Sequence, residues 1–142
     1  MSTTFAEDGI HFAYPGNWEL TREDNPSGWT VTLQSPATAF FMITFDRDMP
    51  ETELMTETAL DAMKGEYEDL EFEPMTESIA GQPAIGHDMR FFSLDLTNTC
   101  STRSFYAETG TVLLFWQSTD LDLDAIDPVF KALRASMTVE EA

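Results

Sequence analysis

The sequence predicts an α+β fold, in which two main helices flank an antiparallel sheet of about six to seven strands. Segments with the two-residue period of strands are clustered along the chain, and short turns join several of them directly, which favours an antiparallel meander. Only two segments have the spacing of an amphipathic helix, one in the middle of the chain and one near its end. Helices that pack on one antiparallel sheet are typical of the α+β class.

The N-terminal part predicts two strands and a loop. Residues 10–14 form the first strand, which ends at a Pro-Gly-Asn turn over residues 15–17. Residues 18–21 form a short second strand. The polar segment 23–28, with its Asn, Pro, Ser and Gly, is typical of a loop.

Two further strands precede the middle helix. Apolar and polar residues alternate over 29–34, as in a strand with one buried face. After a turn at 35–38, residues 39–45 are apolar on both faces, which indicates a central strand covered on each side.

The middle helix follows Pro50. Thr52 is predicted as its N-cap, and Glu53 suits the positive end of the helix dipole. Its apolar stripe comprises Met55, Ala59, Ala62, Met63 and Tyr67, with Leu60 at the edge.

The second half of the chain predicts a meander and a final helix. The predicted strands are residues 70–77, 82–96, 101–108 and 111–118, with hairpin turns at Thr97-Asn98 and Thr109-Gly110. The apolar stripe of the final helix comprises Ile126, Val129, Phe130, Leu133 and Met137. Asp127 is predicted as the cap and Pro128 as the first helical residue.

The composition predicts a single domain spanning residues 1–142, with a real hydrophobic core. Hydrophobic residues make up 42% of the chain and aromatic residues 12%, which argues against disorder. The formal net charge of −19 disfavours nucleic-acid or anionic membrane partners and favours basic ones. An alternative stays open, in which the acidity is an adaptation to high salt.

Cys100 is the only cysteine, so neither an internal disulfide nor a thiolate zinc site can form within one chain. The first residues lack the features of a signal peptide, and the longest apolar run, residues 39–43, is too short to span a bilayer. We therefore expect a cytoplasmic protein that is not a membrane protein.

No candidate catalytic or metal-binding residue withstands inspection. The acidic run 120–124 resembles the opening of a calcium loop, but Ala125 and Lys131 stand where such a loop needs Gly and Glu. We interpret the run as a solvated turn that caps the last helix. His87 is expected to be a hydrogen-bonded, partly buried imidazole, and Cys100 has no local features of a nucleophile. We assign no catalytic, cofactor-binding or metal-binding residues, and we expect no cofactor.

Several short segments resemble a known family. They are YPGNW at 14–18, the helix start near Thr52, IAGQPA at 79–84, and Phe130 with Ser136-Met137 in the last helix. Over residues 8–138 the chain is similar to the PsbP/DcrB-like superfamily, which includes the Ran-binding import factor and the Eag-type chaperones of type VI secretion effectors. The resemblance implies an antiparallel sheet flanked by helices, in proteins that mostly bind other proteins and are not enzymes. It also implies that Trp18 fills the core.

These observations favour a non-enzymatic, protein-binding accessory or chaperone-like domain, in which an exposed sheet face with acidic rims takes up a segment of a partner. Two alternatives remain open. One is a small-ligand-binding protein or an unrecognised enzyme, with a pocket between sheet and helix around Trp18, Trp29 or Trp116. The other is a homodimer whose acidity is only an adaptation to salt.

Overall fold

The computed structural model describes residues 2–140. Its strands are β1 (Ser2–Glu7), β2 (Ile10–Pro15), β3 (Glu19–Asn25), β4 (Gly28–Gln34), β5 (Phe40–Asp46), β6 (Glu71–Ile79), β7 (Gln82–Ser93), β8 (Leu96–Tyr106), β9 (Thr111–Thr119) and β10 (Thr138–Val139). The helices are α1 (Thr52–Glu66) and α2 (Leu123–Ser136).

Two antiparallel sheets build the fold. The main sheet has seven strands in the order β3-β4-β5-β9-β8-β7-β6, and the small sheet has the order β1-β2-β10. α1 packs on β7, β8 and β9, whereas α2 packs on β2 and β9. The predicted α+β class, with a main sheet of seven antiparallel strands and two helices, is confirmed.

The core consists of two apolar clusters on opposite faces of the main sheet. The larger one lies between the main sheet, the small sheet and α2, and it contains the fully buried Trp29, Phe41 and Phe130. Trp18 is also buried there, edge-on to the ring of Phe130 at 6.2 Å, which confirms its predicted place in the core. The smaller cluster lies under α1. Burial of these large side chains supplies most of the stabilisation, at about 2–3 kcal/mol for each large apolar side chain.

Strand β1 is absent from the sequence prediction. Its Ser-Thr-Thr start has no strand-like alternation, and Phe5 is its one large apolar residue. Pairing with β2, from Ser2 opposite Pro15 to Glu7 opposite Ile10, holds the segment in place. Phe5 also stacks on Phe12 at 4.8 Å. This strand therefore depends on pairing with β2, which cannot be predicted from the local sequence of residues 2–7.

Two predicted loops are shorter or displaced in the structure. β3 continues to Asn25, so the predicted loop 23–28 reduces to a tight turn before β4. The β7–β8 hairpin turns at Leu94-Asp95, and the prediction of a Thr97-Asn98 turn is wrong. Thr97 and Asn98 instead pair with residues of β7, because the register between the two long strands decides the turn.

Both predicted helix starts are wrong by one to five residues. Glu51 occupies the N-cap position of α1 and Thr52 is already helical. The N-cap position of α2 is Asp122, so Pro128 lies inside the helix and Asp127 is not the cap. The carbonyl of Asp122 accepts the first bonds of α2, which extends the helix back along the chain. The buried face of α1 is centred on Thr56 and Leu60, and Ala62 is exposed.

Candidate functional site

The main sheet is partly uncovered on the face that carries α2. α2 lies over β9, and a groove of about 450 Å³ opens between its N-terminal half and strands β6, β7 and β8. We call this cavity the acidic groove. Its charged lining residues are Glu71, Glu73, Asp88, Arg90 and Asp127.

Strand register brings these side chains to one face. Glu73 lies opposite Asp88, Asp88 opposite Ser101, and Ser101 opposite Trp116. Residues directly opposed in an antiparallel sheet point to the same side. Four neighbouring strands therefore contribute one continuous row, which begins with carboxylates at the sheet edge and ends at an aromatic ring beneath α2.

The inner wall of the groove is apolar. Trp116 stacks on Phe41 with ring centroids 5.4 Å apart, and Phe130 of α2 lies 6.3 Å from the same indole. Leu123, in the first turn of α2, continues this wall and is only half-buried. A partner side chain entering here would meet carboxylates on one side and, on the other, the half-buried Leu123 and the edges of Trp116 and Phe130, which are 6% and 1% exposed.

A buried ion network adjoins the groove on the strand row next to Trp116. Arg103 is 4% exposed and donates to Glu77 at 2.7 Å and to Asp88 at 2.9 Å. Arg134 of α2 also pairs with Glu77, at 3.4 Å. Both guanidinium groups lie over the Trp116 ring, at 5.3 and 4.4 Å from its centroid. These contacts fix Trp116 and connect α2 to the sheet.

The lining of the groove carries an excess of negative charge. Four of its lining residues are carboxylates and one, Arg90, is basic; Arg90 is paired with Glu71 at 3.3 Å, and Asp127 is paired with Lys131 at 3.1 Å. The carboxylate of Asp88 is held by Arg103 and by the Ser101 hydroxyl, which donates to it at 2.8 Å. Glu73 is exposed and has no ion pair within residues 2–140. The groove therefore suits a ligand with positive charge.

Cys100 and His87 lie on the opposite face of the main sheet, under α1. Cys100 packs with Leu60 and Met89, and burial, with a smaller effect from the charge of Asp88, raises the pKa of its thiol to about 12. It is therefore a neutral thiol at ordinary pH. His87 is buried, but the expected hydrogen bond is missing: its Nδ1 has no partner within the described residues, and Nε2 lies 3.8 Å from Glu57.

The acidic run 120–124 forms the turn into α2. Asp122 occupies the cap position without a side-chain cap bond, and its carboxylate accepts a hydrogen bond from the Thr38 hydroxyl at 2.6 Å instead. Within residues 2–140, no group of three or more His, Cys, Asp or Glu side chains is placed to hold a metal ion.

Of the three tryptophans considered for a pocket, only Trp116 lines the groove. Trp18 and Trp29 are in the core, where the Trp29 indole donates to Asp8 at 2.7 Å. The sequence raised a pocket between sheet and helix around Trp116 as an alternative, but it did not identify the carboxylates that line the groove, because the alternating charges of β6 are equally typical of a solvated strand face. The available signal was the spacing of Glu71, Glu73 and Glu77, which are two and four residues apart and therefore lie on one face of the strand.

The described part of the chain has no helix with the length and apolar character needed to cross a membrane. No family model matches the sequence, and no curated protein matches it.

Solved structures do match. The cyanobacterial PsbP (CyanoP) of Synechocystis sp. PCC 6803 is similar with a TM-score of 0.63 and 15% identity, over 98% of this chain and 92% of that one. PA94 of Pseudomonas aeruginosa, a protein of unknown function described as a putative regulator, has a TM-score of 0.55 and 14% identity, over 99% of both chains. LpqN of Mycobacterium tuberculosis, involved in cell envelope biogenesis, has a TM-score of 0.54 and 13% identity, over 98% of this chain and 90% of that one. The chain therefore has a PsbP-like fold, as its short sequence motifs predict.

Proposed function

We propose that this protein is a non-enzymatic, protein-binding accessory or chaperone-like domain that holds a basic segment of a partner protein in the acidic groove. The observation that carries the proposal is the composition of the groove, where carboxylates, among them Glu73 with no ion pair within residues 2–140, lie beside an apolar wall on a sheet face that α2 leaves open. Such a surface combines an anchor for an apolar side chain with a rim that selects for Lys and Arg.

The charge of the whole chain supports the same class of partner. A net charge of −19 attracts basic segments over a distance and repels acidic ones, which speeds association and adds specificity. The wall residues Trp116 and Phe130 are held by stacking and by the Arg103 network, so little side-chain freedom is lost when a partner binds.

Binding of two matched peptides tests the proposal. The first peptide alternates Lys and Leu, and the second carries Glu in place of every Lys. We expect the basic peptide to bind and to shift the backbone amide resonances of β7 and β8 and the indole N–H of Trp116. We expect the acidic peptide to leave these signals unchanged. Calorimetry gives the affinity.

Two variants with equal charge separate local recognition from general attraction. Glu73→Gln with Asp127→Asn removes two charges from the groove, whereas Glu19→Gln with Glu23→Gln removes two from β3 at the far edge of the sheet. We expect about a tenfold loss of affinity for the groove variant and less than about twofold for the control. Equal losses, or no preference for the basic peptide, would contradict the proposal.

The volume of the groove favours a second candidate, a small-ligand-binding protein. Its 450 Å³ falls within the usual range of ligand sites, about 300–1,000 Å³. In that case, members of a metabolite panel should change the tryptophan fluorescence of the wild type, and Trp116→Phe should abolish the change. A panel without any effect would leave the peptide-binding function as the better interpretation.

A further inference from the structure

The β7–β8 hairpin has an unusual turn. Within residues 2–140, three two-residue turns have positive φ at both residues, at Asp8-Gly9, Ala80-Gly81 and Leu94-Asp95. This geometry is typical of type I′ hairpins, which favour Asn or Asp followed by Gly. The first two turns end in glycine, but the third places Leu94 at φ 54° and Asp95 at φ 63°. Bulky side chains are strained in this region, and Leu94 has the same φ as Ala80, in the same position of its turn, and as Met49.

Among the described residues, little packs against the side chain of Leu94 that could offset this strain. Its side chain is 92% exposed, and Phe92 in the same hairpin is 57% exposed. Leu121, 76% exposed, lies beside the hairpin because the backbone N–H of Asp120 donates to the carbonyl of Thr97 at 2.9 Å. We call Phe92, Leu94 and Leu121 the hairpin-tip surface.

The hairpin-tip surface is presented on a rigid support. Phe91 points to the other face of β7, is 3% exposed, and stacks on Tyr67 after α1 with centroids 3.8 Å apart. The ladder between β7 and β8 continues to the last pair before the turn, Ser93 with Leu96. A rigid apolar projection loses little conformational entropy when a partner covers it.

Carboxylates surround this surface. Asp95 is in the turn, Asp120 precedes Leu121, and Asp69 and Glu71 border a small cavity next to Phe92. Arg90 is the only basic residue that lines this cavity. The surroundings therefore disfavour an acidic partner and favour one with Lys or Arg close to an apolar recess.

We propose that the hairpin-tip surface is a second protein-binding site, next to the acidic groove and sharing Glu71 and Arg90 with its lining, which inserts Leu94 into an apolar pocket rimmed by basic side chains on a partner protein. The inference does not depend on the function proposed for the groove. The turn conformation itself closes the hairpin, so the feature that points to binding is the choice of an exposed leucine where this geometry favours Asn or Asp, together with the exposed Phe92 and Leu121 beside it.

Replacing the turn tests whether Leu94 is held at a cost to stability. We expect the double variant Leu94→Asn with Asp95→Gly to raise the thermal unfolding midpoint by about 3 °C, because Asn-Gly relieves the strain. If the variant lowers the midpoint, Leu94 has a structural role and the proposal is wrong.

A small host molecule with an apolar cavity and a basic rim tests directly whether such a pocket binds Leu94. We would titrate the full chain with β-cyclodextrin that carries seven ammonium groups, an apolar cavity with a basic rim, and follow leucine methyl resonances by NMR. Leu94 and Leu121 should respond at concentrations about fivefold lower than Leu54, a lone exposed leucine on α1 in an equally acidic setting. Neutral β-cyclodextrin should bind more weakly, and high salt should remove the difference.

Three results of the cyclodextrin titration would overturn the proposal: an equal response at Leu54, equal binding of the neutral host, or an unchanged affinity in the double variant. Leu121→Ser, at a fully exposed position, provides an independent check and should also weaken binding. Co-sedimentation with phosphatidylcholine vesicles separates a lipid surface from a protein pocket. Sedimentation that depends on Leu94 would identify a membrane as the occupant and would overturn the protein-partner proposal.

Discussion

At the scale of single residues, burial decides the chemistry of Cys100. The thiol packs against Leu60 and Met89 beneath α1, and removal from water is the main reason that its pKa rises from 9.0 to about 12. Its position midway along β8, on the face opposite the acidic groove, was not predicted: the expected turn at Thr97-Asn98 and the expected strand from residue 101 left Cys100 outside any strand.

The raised pKa of Cys100 predicts a loss of stability at alkaline pH. The unfolded chain releases the thiol proton above about pH 9, whereas the folded chain keeps it until about pH 12. The free energy of unfolding should therefore fall as the pH rises between these values. Compared with Cys100→Ala, the wild type should lose about 1–2 kcal/mol between pH 8 and 10.5 in urea unfolding.

The Cys100→Ala variant is itself the control, because it retains every other group that titrates in this range. Parallel stability curves for the two proteins would contradict the prediction. Iodoacetamide gives a separate measurement: at pH 8 the native protein should react much more slowly than the urea-unfolded chain, since only the thiolate is nucleophilic.

At the scale of strands and helices, two glycines that look alike in the sequence have opposite roles. Gly86 lies where β7 approaches β8, and a Cβ on it would be 1.7 Å from the carbonyl oxygen of Thr102. Gly65 is in the last part of α1, where a Cβ would have no neighbour within 4 Å. Position 86 requires glycine because strand register brings the β8 backbone close to it, and local sequence does not show that register.

Alanine substitution at these glycines should change stability in opposite directions. Gly86→Ala should lower the free energy of unfolding by about 3 kcal/mol or more, because the backbone of β8 would have to move. Gly65→Ala should raise it by about 0.5–1 kcal/mol through better helix propensity. Chemical denaturation measures both changes in the free energy of unfolding. If both variants change it in the same direction, the close approach of β7 and β8 at Gly86 is contradicted.

At the scale of the whole molecule, net charge governs the response to salt. The chain carries 26 acidic and 7 basic residues, and folding brings the acidic ones closer together. Screening this repulsion should stabilise the folded protein. We expect the thermal midpoint to rise steadily from low to 1 M sodium chloride.

Salt should have the opposite effect on peptide binding in the groove, where screening weakens the attraction. Opposite trends in the same salt series would support both the charge argument and the proposed function. A thermal midpoint that does not depend on salt would contradict the charge argument. Peptide affinity that does not fall with salt would contradict the proposed function.

The sequence alone determined the class of fold, the order of most elements and the charge. Alternating residues at 29–34 and the apolar stripe from Ile126 to Met137 are local patterns, so they identify a strand and a helix without knowledge of their neighbours. Tertiary structure decided β1, the Leu94-Asp95 turn and the acidic groove. Each depends on which residues lie opposite one another across strands, and that register is set by long-range pairing and core packing.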